Sequence, residues 1–294
     1  MDEKFSVLMS LYVKEKATNL CECLDSILGQ TAFPDEIVIV KDGPLTEELE
    51  NVLNKYVTQN PNIYRFVPLP ENRGLGLALA TGVPQCRNEL IARMDTDDVC
   101  RKDRFEIQLK EFEKDPDLDI CGSHISEFED DIDHIVAQRK VPLGDSEIKK
   151  YQKRRDGFNH VTVMFKKSAV LKAGNYQSCM LMEDTYLWVN MFLAGCKAKN
   201  VDDFLVYVRI GKDMFERRGG LSYYKKYKQG RKKVRSTGYI GFFDYYYTLF
   251  VQLIVALLPN KLRGWIFETM LHGQGVRQKL ERNGMNEGGN HHTL

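Results

Sequence analysis

The 294-residue sequence lacks a strong excess of either charge, and it lacks paired cysteines. Lys and Arg number 42 against 41 for Asp and Glu, a formal net charge of +1, which excludes a chain-wide basic surface for nucleic acid. None of the seven cysteines belongs to a CxxC pair, so neither a zinc cluster nor a disulfide framework is predicted. Such isolated thiols are typical of a reducing compartment.

The sequence also lacks an export signal and a long apolar run. Residues 1–4 are acidic, and the first apolar run ends near Val13 without a basic start or a small-residue cleavage site, so we expect the catalytic part in the cytoplasm. The longest apolar and aromatic run is 242–258. As a helix it would measure roughly 25 Å, short of the ~30 Å hydrocarbon core of a bilayer.

Strand and helix patterns alternate through the first half of the chain. This alternation predicts an α/β fold with a mostly parallel central sheet flanked by helices, and a ligand crevice at the carboxyl ends of the strands. Asp42 and Asp95 each follow a predicted strand at that edge. The apolar patterns predict strands at 5–12, 36–40, 64–67 and 90–94, and helices over 17–28, 49–56, 77–83 and 101–114.

The pattern becomes less regular after residue 114. It predicts an acidic loop at 127–133, a short strand at 161–165 and a helix at 184–194. We expect this half to form the acceptor side of the cleft.

The main chemical motif is Asp95-Thr96-Asp97 at the end of a predicted strand. A divalent cation with a diphosphate needs hard carboxylate ligands on a turn, although the motif taken alone more often marks a solvated acidic turn or a helix cap. Asp42, in the same crevice, is placed to accept hydrogen bonds from a base or ribose. The alternative for Asp42 is a simple strand-terminating turn with Gly43.

Two further motifs precede helices. Arg73-Gly74-Leu75-Gly76 is not a GxGxxG fingerprint, but its glycines could let the backbone approach phosphates at a helix N-terminus. Glu183-Asp184 opens an amphipathic helix that contains Trp188. These carboxylates either stabilise the helix N-terminus or include a general base for an acceptor hydroxyl.

In their order and spacing, the motifs resemble the family 2 glycosyltransferases with the GT-A fold. The resemblance covers roughly residues 4 to 210 and is greatest with the bacterial branch that builds capsular, exopolysaccharide and O-antigen chains. Val13 and Ala80 depart from the pattern, because relatives often carry Asn there. The matching motifs are residues 5–12 with Glu15, 26–31, 34–43, 71–76, 92–98, 103–105, 159–165 and 182–184.

The resemblance implies a nucleotide-sugar donor, with UDP as the default base and GDP and dTDP open. It implies that Asp97, with Asp95, binds Mn²⁺ or Mg²⁺, and that Asp184 is the catalytic base of an inverting displacement. Three residues are assigned to the substrate: His160, Glu183 and Trp188. The donor contacts implied by the resemblance are Tyr12, Glu15, Asp42, Arg73, Gly74 and Asp95.

The resemblance also sets the predicted domain boundaries. Residues 1–210 form the catalytic domain, with a nucleotide-sugar-binding half at 1–98 and an acceptor-binding half at 99–210. A basic and amphipathic helical region that associates with the membrane follows at 211–282, and a flexible tail at 283–294.

The predicted membrane-associating region carries a local charge excess. Residues 212–235 hold ten basic and two acidic side chains, a net of +8, directly before the apolar run. Such a segment suits the cytoplasmic face of the inner membrane as a peripheral or monotopic element, near a lipid-linked glycan acceptor. The alternative is a buried core helix with a solvated basic face.

Two other functions compete with this interpretation. A sugar nucleotidyltransferase shares the α/β sheet and acidic metal sites, but would be expected to carry a Gly-rich loop after its first strand, where this chain has residues 10–15 without glycine. A catalytically degenerate scaffold of the same fold is the non-enzymatic alternative. The joint presence of Asp42, Asp95, Asp97 and Asp184 argues against it.

Overall fold

The computed structural model describes residues 4–211 and 220–258. Within these ranges the chain forms nine strands and nine α-helices around one mixed sheet. In chain order they are β1 Phe5–Leu11, α1 Ala17–Leu28, β2 Glu36–Lys41, α2 Glu47–Gln59, β3 Tyr64–Pro68, α3 Leu75–Gln85, β4 Leu90–Arg93, β5 Val99–Cys100, α4 Arg104–Lys114, β6 Leu118–Phe128, β7 Ile135–Arg139, α5 Asp145–Gln152, β8 Met164–Lys166, α6 Lys167–Lys172, α7 Glu183–Leu193, β9 Lys197–Arg209, α8 Gly220–Ser236 and α9 Phe242–Leu257.

The N-terminal half is a parallel sheet in the order β3-β2-β1-β4. Its central strands are apolar on both faces because helices cover both sides. Val7 and Ile39 pack in the cluster with α1 and α2, whereas Leu8 and Val40 pack in the cluster with α3. The predicted alternation of strands and helices is confirmed in this half.

Two predicted elements start three residues later than expected. The helix expected from residue 101 begins at Arg104, because Val99–Cys100 first pairs with β9. The strand expected at 161–165 is β8, Met164–Lys166, preceded by a 3₁₀ turn at His160–Thr162. In that turn the Thr162 hydroxyl donates to the carbonyl of Asn159 at 2.8 Å, a local hydrogen bond that competes with strand pairing.

The two longest strands, β6 and β9, are absent from the sequence-based prediction. They pair in parallel, while β8, β7 and β5 join antiparallel, and the full order is β3-β2-β1-β4-β8-β6-β9-β5 with β7 beside β6. Register shifts near His124 interrupt the alternation along β6. In β9, polar side chains such as Asn200, Asp202 and Asp203 hide the strand pattern.

The C-terminal helices α8 and α9 pack on α7 and on the segment before it. Their shared apolar cluster includes Cys179, Met182, Val189, Val234 and Leu249. In the part of the chain that the structure describes, no helix has the length and apolarity to cross a bilayer. Lys212, Asp213, Glu216, Arg217 and Arg218 of the predicted basic segment, and the predicted tail, lie outside the described residues.

Candidate functional site

The candidate site lies at the carboxyl edge of the parallel strands, as the sequence predicts. Asp42 follows β2, and its backbone N–H donates to the carbonyl of Leu11, the last residue of β1, at 2.8 Å. The acidic motif begins two residues after β4, and the backbone N–H of Met94 donates to the carbonyl of Leu8 in β1 at 3.1 Å. The pairing of β1 with both β2 and β4 therefore brings Asp42 and Asp95 to one edge.

Asp42 holds the loop that enters α3. Its Oδ1 accepts the backbone N–H of Arg73 at 2.7 Å, and its Oδ2 accepts that of Gly74 at 3.0 Å. Gly74 has φ of +84°, a conformation that favours glycine, whereas the Arg73 side chain is exposed. A carboxylate has about four acceptor positions, so Asp42, although buried, keeps spare acceptor capacity while fixing this loop.

Three carboxylates form a cluster after β4. One oxygen from each of Asp95, Asp97 and Asp98 lies within 4.8 Å of the others. Asp98 is buried and accepts the backbone N–H of Arg209, at the end of β9, at 2.8 Å. Sequence reasoning assigned only the first two; the signal for the third was the adjacent carboxylate in Asp95-Thr96-Asp97-Asp98.

The cluster is electrostatically suited to a divalent cation. Burial, followed by the charges of Asp95 and Glu15, raises the pKa of Asp97 to about 7. Burial, followed by the charges of Asp97 and Asp95, raises the pKa of Asp98 well above its usual value. Crowded oxygen donors without sulfur or nitrogen ligands fit Mg²⁺ or Mn²⁺, and the cation would relieve this repulsion.

Two predicted donor contacts border the cluster. Glu15 accepts a hydrogen bond from the Thr96 hydroxyl at 3.0 Å, so it lies against the acidic motif. Tyr12 follows the end of β1 and is 40% exposed. Glu15 is therefore part of the cluster's surroundings, and Tyr12 offers an accessible ring beside the edge of the sheet.

Arg93, which sequence reasoning did not single out, connects the cluster to the acceptor side. It is fully buried at the end of β4, and its Nη2 donates to Asp95 Oδ1. Its positive charge also lowers the pKa of His160 and opposes the rise at Asp184. The available signal was a cation inside an otherwise apolar strand.

The predicted catalytic base stands in the first turn of α7. Asp184 is partly buried, and its Oδ1 accepts the N–H of Thr185 at 2.7 Å. Burial, and next the charge of Asp156, raises the pKa of Asp184 to about 7. Asp156 in turn accepts a hydrogen bond from the Thr185 hydroxyl. A carboxylate with such a pKa can accept a proton near neutral pH.

His160 contacts Tyr176, a residue within electrostatic range of Asp184, and burial keeps its ring neutral. Its Nε2 is 2.8 Å from the hydroxyl of Tyr176, and burial lowers its pKa well below the usual value. An imidazole kept neutral by burial can hydrogen-bond a substrate hydroxyl without adding charge.

The structure corrects the expected position of Trp188. Its side chain is fully buried and packs edge-on against Phe158, His160 and Tyr176 at centroid distances of 5.5, 5.7 and 6.4 Å. Helix α7 turns this ring toward the core, away from the cleft surface. Trp188 therefore packs against His160 within the core and does not line the substrate surface in this structure.

Gly76 brings the two sides of the cleft together. A Cβ on Gly76, in the first turn of α3, would lie 2.8 Å from Cβ of Glu183 in the first turn of α7. Real Cβ contacts are not that short, so a larger residue must separate the two helices. The small residue thus sets the spacing between the start of α3 and Glu183-Asp184.

We expect Gly76→Ala to lower kcat/KM for transfer at least about tenfold, because a small misplacement of reacting groups is costly. Steady-state kinetics with thermal unfolding as a fold check measures this. Gly144→Ala is the matched control, since its new Cβ would meet only Glu147 at an ordinary 3.7 Å. Equal activities in the two variants would contradict the close-approach argument.

Comparison with known proteins gives a consistent result. A family model, glycosyl transferase family 2, matches residues 6–174. An uncharacterized glycosyltransferase of Haemophilus influenzae is 41% identical, covering 91% of this chain and 99% of that protein. An amylovoran biosynthesis glycosyltransferase of Erwinia amylovora is 37% identical, covering 90% and 98%.

A third relative carries a more specific name. The Escherichia coli UDP-Gal:alpha-D-GlcNAc-diphosphoundecaprenol beta-1,3-galactosyltransferase is 37% identical, covering 91% of this chain and 96% of that protein. Among solved structures, a mannosyltransferase from Pyrobaculum calidifontis in complex with GDP-Man and Mn²⁺ has a TM-score of 0.62 at 17% identity, covering 96% of this chain and 79% of that one. At that identity the likeness shows the GT-A fold alone.

Proposed function

The chain belongs to glycosyltransferase family 2, and from this premise we propose that it is an inverting, metal-dependent enzyme of bacterial surface polysaccharide synthesis. It moves a sugar from a nucleotide-sugar donor, with UDP as the first candidate, to a hydroxyl of a lipid-linked oligosaccharide. One observation carries the proposal: Arg93 contacts Asp95 of the acidic cluster and also acts electrostatically on Asp184. A metal-binding candidate and a base candidate therefore both lie within electrostatic range of one buried cation.

The lipid-linked acceptor is supported by the relatives. The Escherichia coli relative is named for transfer of galactose to GlcNAc-diphosphoundecaprenol, and the Erwinia relative for amylovoran biosynthesis. The Escherichia coli relative is aligned along nearly its whole length, which favours the same class of acceptor here.

The residues of the cleft divide the chemical work. Asp95 and Asp97, with Asp98 beside them, would hold Mn²⁺ or Mg²⁺, which when bound neutralises charge on a diphosphate leaving group. Asp42 and the backbone of Arg73-Gly74 form the donor loop, and Asp42 contacts the base. Asp184 accepts the proton of the acceptor hydroxyl as the hydroxyl oxygen attacks the anomeric carbon. The attack comes from the face opposite the departing nucleoside diphosphate. The product has inverted anomeric configuration.

The direct test is turnover by the purified full chain. We would incubate UDP-, GDP- and dTDP-sugars with a synthetic polyprenyl-diphosphate GlcNAc acceptor and Mn²⁺, and determine the new linkage by NMR. A single active donor and an inverted anomeric centre support the proposal. No transfer with any donor, but retained nucleotide binding, would favour the degenerate scaffold, while synthesis of a sugar nucleotide from a sugar phosphate would identify a nucleotidyltransferase.

We propose further that α9 lies in the cytoplasmic interface of the inner membrane. Tyr245 and Leu249 lie on its buried face, while a stripe of large apolar and aromatic side chains faces solvent. Neighbouring α8 carries exposed Lys225, Lys226 and Lys228. Apolar insertion together with basic side chains suits an anionic lipid surface. The stripe comprises Phe242, Phe243, Tyr246, Tyr247, Phe250, Val251, Ile254 and Leu257.

We expect the double variant Phe243→Ser with Phe250→Ser to lose co-sedimentation with phosphatidylglycerol vesicles, because these rings are 83% and 63% exposed. Wild-type binding should weaken with salt and be poor with phosphatidylcholine, as basic contacts with anionic lipid are screened. Phe33→Ser, at a ring 51% exposed in the N-terminal half, is the control and should bind normally. Vesicle binding by the double variant equal to wild type would contradict the interfacial position of α9.

A further inference from the structure

Helix α8 makes a backbone contact with the segment that leads into the catalytic turn. A Cβ on Gly230 would lie 2.3 Å from the carbonyl oxygen of Met180 and 3.1 Å from Sδ of Met182. Met182 directly precedes Glu183 and occupies the N-cap position of α7. Only glycine allows α8 to come this near to residues 180–182.

Lys233 of α8 makes two further contacts with this region. The Lys233 ammonium donates to the carbonyl of Ser178 at 2.7 Å and lies 4.4 Å from the ring centroid of Tyr186 on α7. Between these points the backbone of Leu181 has φ of +60°, a left-handed conformation that residues with large side chains rarely adopt. Such a backbone persists where its surroundings over-determine it, and α8 forms part of those surroundings.

A second connection reaches Asp184 through its carboxylate neighbour. Arg231 of α8 is buried, donates to the carbonyl of Lys153 at 2.8 Å, and interacts electrostatically with Asp156. Asp156 accepts hydrogen bonds from Gln152 at 3.1 Å and from the hydroxyl of Thr185, the residue after Asp184. The charge of Arg231 therefore lies beside the carboxylate that most directly repels Asp184.

Helix α9 holds the same region from outside. Arg154 Nε lies 2.6 Å from Asp244 Oδ1, and its guanidinium is 4.7 Å from the ring centroid of Tyr247. The two C-terminal helices thus contact residues 153–154 and 178–182; the second segment leads directly into α7, and the first is followed by Asp156.

We propose that the α8–α9 pair positions the catalytic base: Gly230 and Arg231 hold the segments around Asp184 in the geometry needed for proton transfer. The C-terminal helices are then part of the catalytic unit, and Gly230 and Arg231 are positioning residues that touch no substrate. This inference rests on the proposed transferase function.

The first test is Gly230→Ala in the full-length protein. We expect kcat for transfer to fall at least about tenfold, since misplacing a reacting group by about 1 Å can cost 10²-fold. The donor KM and the metal-dependent thermal shift by nucleotide should stay within about twofold of wild type. The donor loop follows β2 and precedes α3, and α8 is not part of it. Gly241→Ala is the matched control, with φ of −75° and nothing within 4 Å of the new Cβ.

The second test keeps the inference falsifiable if Gly230→Ala fails to fold. Arg231→Met removes the charge beside Asp156, and Arg231→Lys retains it. We expect Met to lower kcat at unchanged donor KM, and Lys to restore at least part of it. A role in folding alone would instead lower the active fraction equally in both and leave kcat per folded molecule unchanged.

The outcomes separate this inference from the proposed function. Absence of transfer by wild type would overturn both. An active wild type with a folded Gly230→Ala of unchanged kcat, or with donor binding lost in parallel with kcat, would overturn the positioning role alone.

Discussion

Asp184→Asn is expected to lower kcat for sugar transfer by about 10² to 10⁴, with donor binding retained, because a single positioned base contributes that much. The amide keeps the size of the carboxylate and its acceptor for the N–H of Thr185, but it cannot take the acceptor proton. Single-turnover kinetics and nucleotide-induced thermal shifts measure the two properties separately. Asp145→Asn, in the first turn of α5, is the matched control for an aspartate in a helix N-terminal turn.

The pH dependence of kcat in the wild-type enzyme tests the role of Asp184 independently. The pKa of Asp184 is raised to about 7, so its carboxylate is ionised above that pH and protonated below it. We expect kcat to fall about tenfold per unit as pH decreases below about 7, and to level off above it. Rapid turnover by Asp184→Asn, or a wild-type rate independent of pH between 5 and 8 (roughly two units below to one above), would reject Asp184 as the base.

Asp97→Asn is expected to abolish metal-dependent nucleotide binding and transfer while stabilising the ligand-free protein. Burial and the charges of Asp95 and Glu15 raise the pKa of Asp97 to about 7 from 3.8. In the unfolded chain this carboxyl ionises more readily, so its ionisation destabilises the fold increasingly from about pH 4 to pH 7 and fully above pH 7. The neutral amide removes that cost.

The measurement is thermal unfolding with and without UDP and Mn²⁺ at pH 8 and pH 4. At pH 8 the ligand-free variant should melt above wild type, with the difference shrinking at pH 4. Saturating ligand at about 100 Kd stabilises a binding protein by about 2.7 kcal/mol, and the variant should show no such gain. Asp130→Asn, at an exposed loop carboxylate, should behave as wild type in both respects. A normal ligand response in Asp97→Asn would remove Asp97 from the metal site.

The donor side of the cleft could be predicted from sequence because its determinants are local. A buried parallel strand is a continuous apolar run, and the residue after it must lie at the carboxyl edge of the sheet. Asp42 and Asp95 are placed by that rule alone, and the structure puts both there. Glu183 and Asp184 were likewise visible as acidic residues opening an amphipathic helix.

Other parts of the site depend on residues far apart in the chain. Asp98 joins the acidic cluster through its hydrogen bond to Arg209, and Asp156 reaches Asp184 through Thr185. Trp188 has a helical spacing that fits either the cleft or the core, and packing against Phe158 and Tyr176 decides for the core. The acidic motif shows that Asp98 is adjacent to the cluster, but no local pattern predicts its hydrogen bond with Arg209, the approach of Asp156 or the burial of Trp188.

The sequence by itself determined the alternation of the first four strands with helices, the edge at which the carboxylates lie, and the family. The tertiary structure alone decided the pairing of β6 with β9, the contact of buried Arg93 with Asp95, and the close approach of Gly230 to Met180. The physical reason is the range of the forces. Apolar periodicity and turn chemistry act over a few residues and are written along the chain, whereas charge coupling and close packing arise only when distant segments meet.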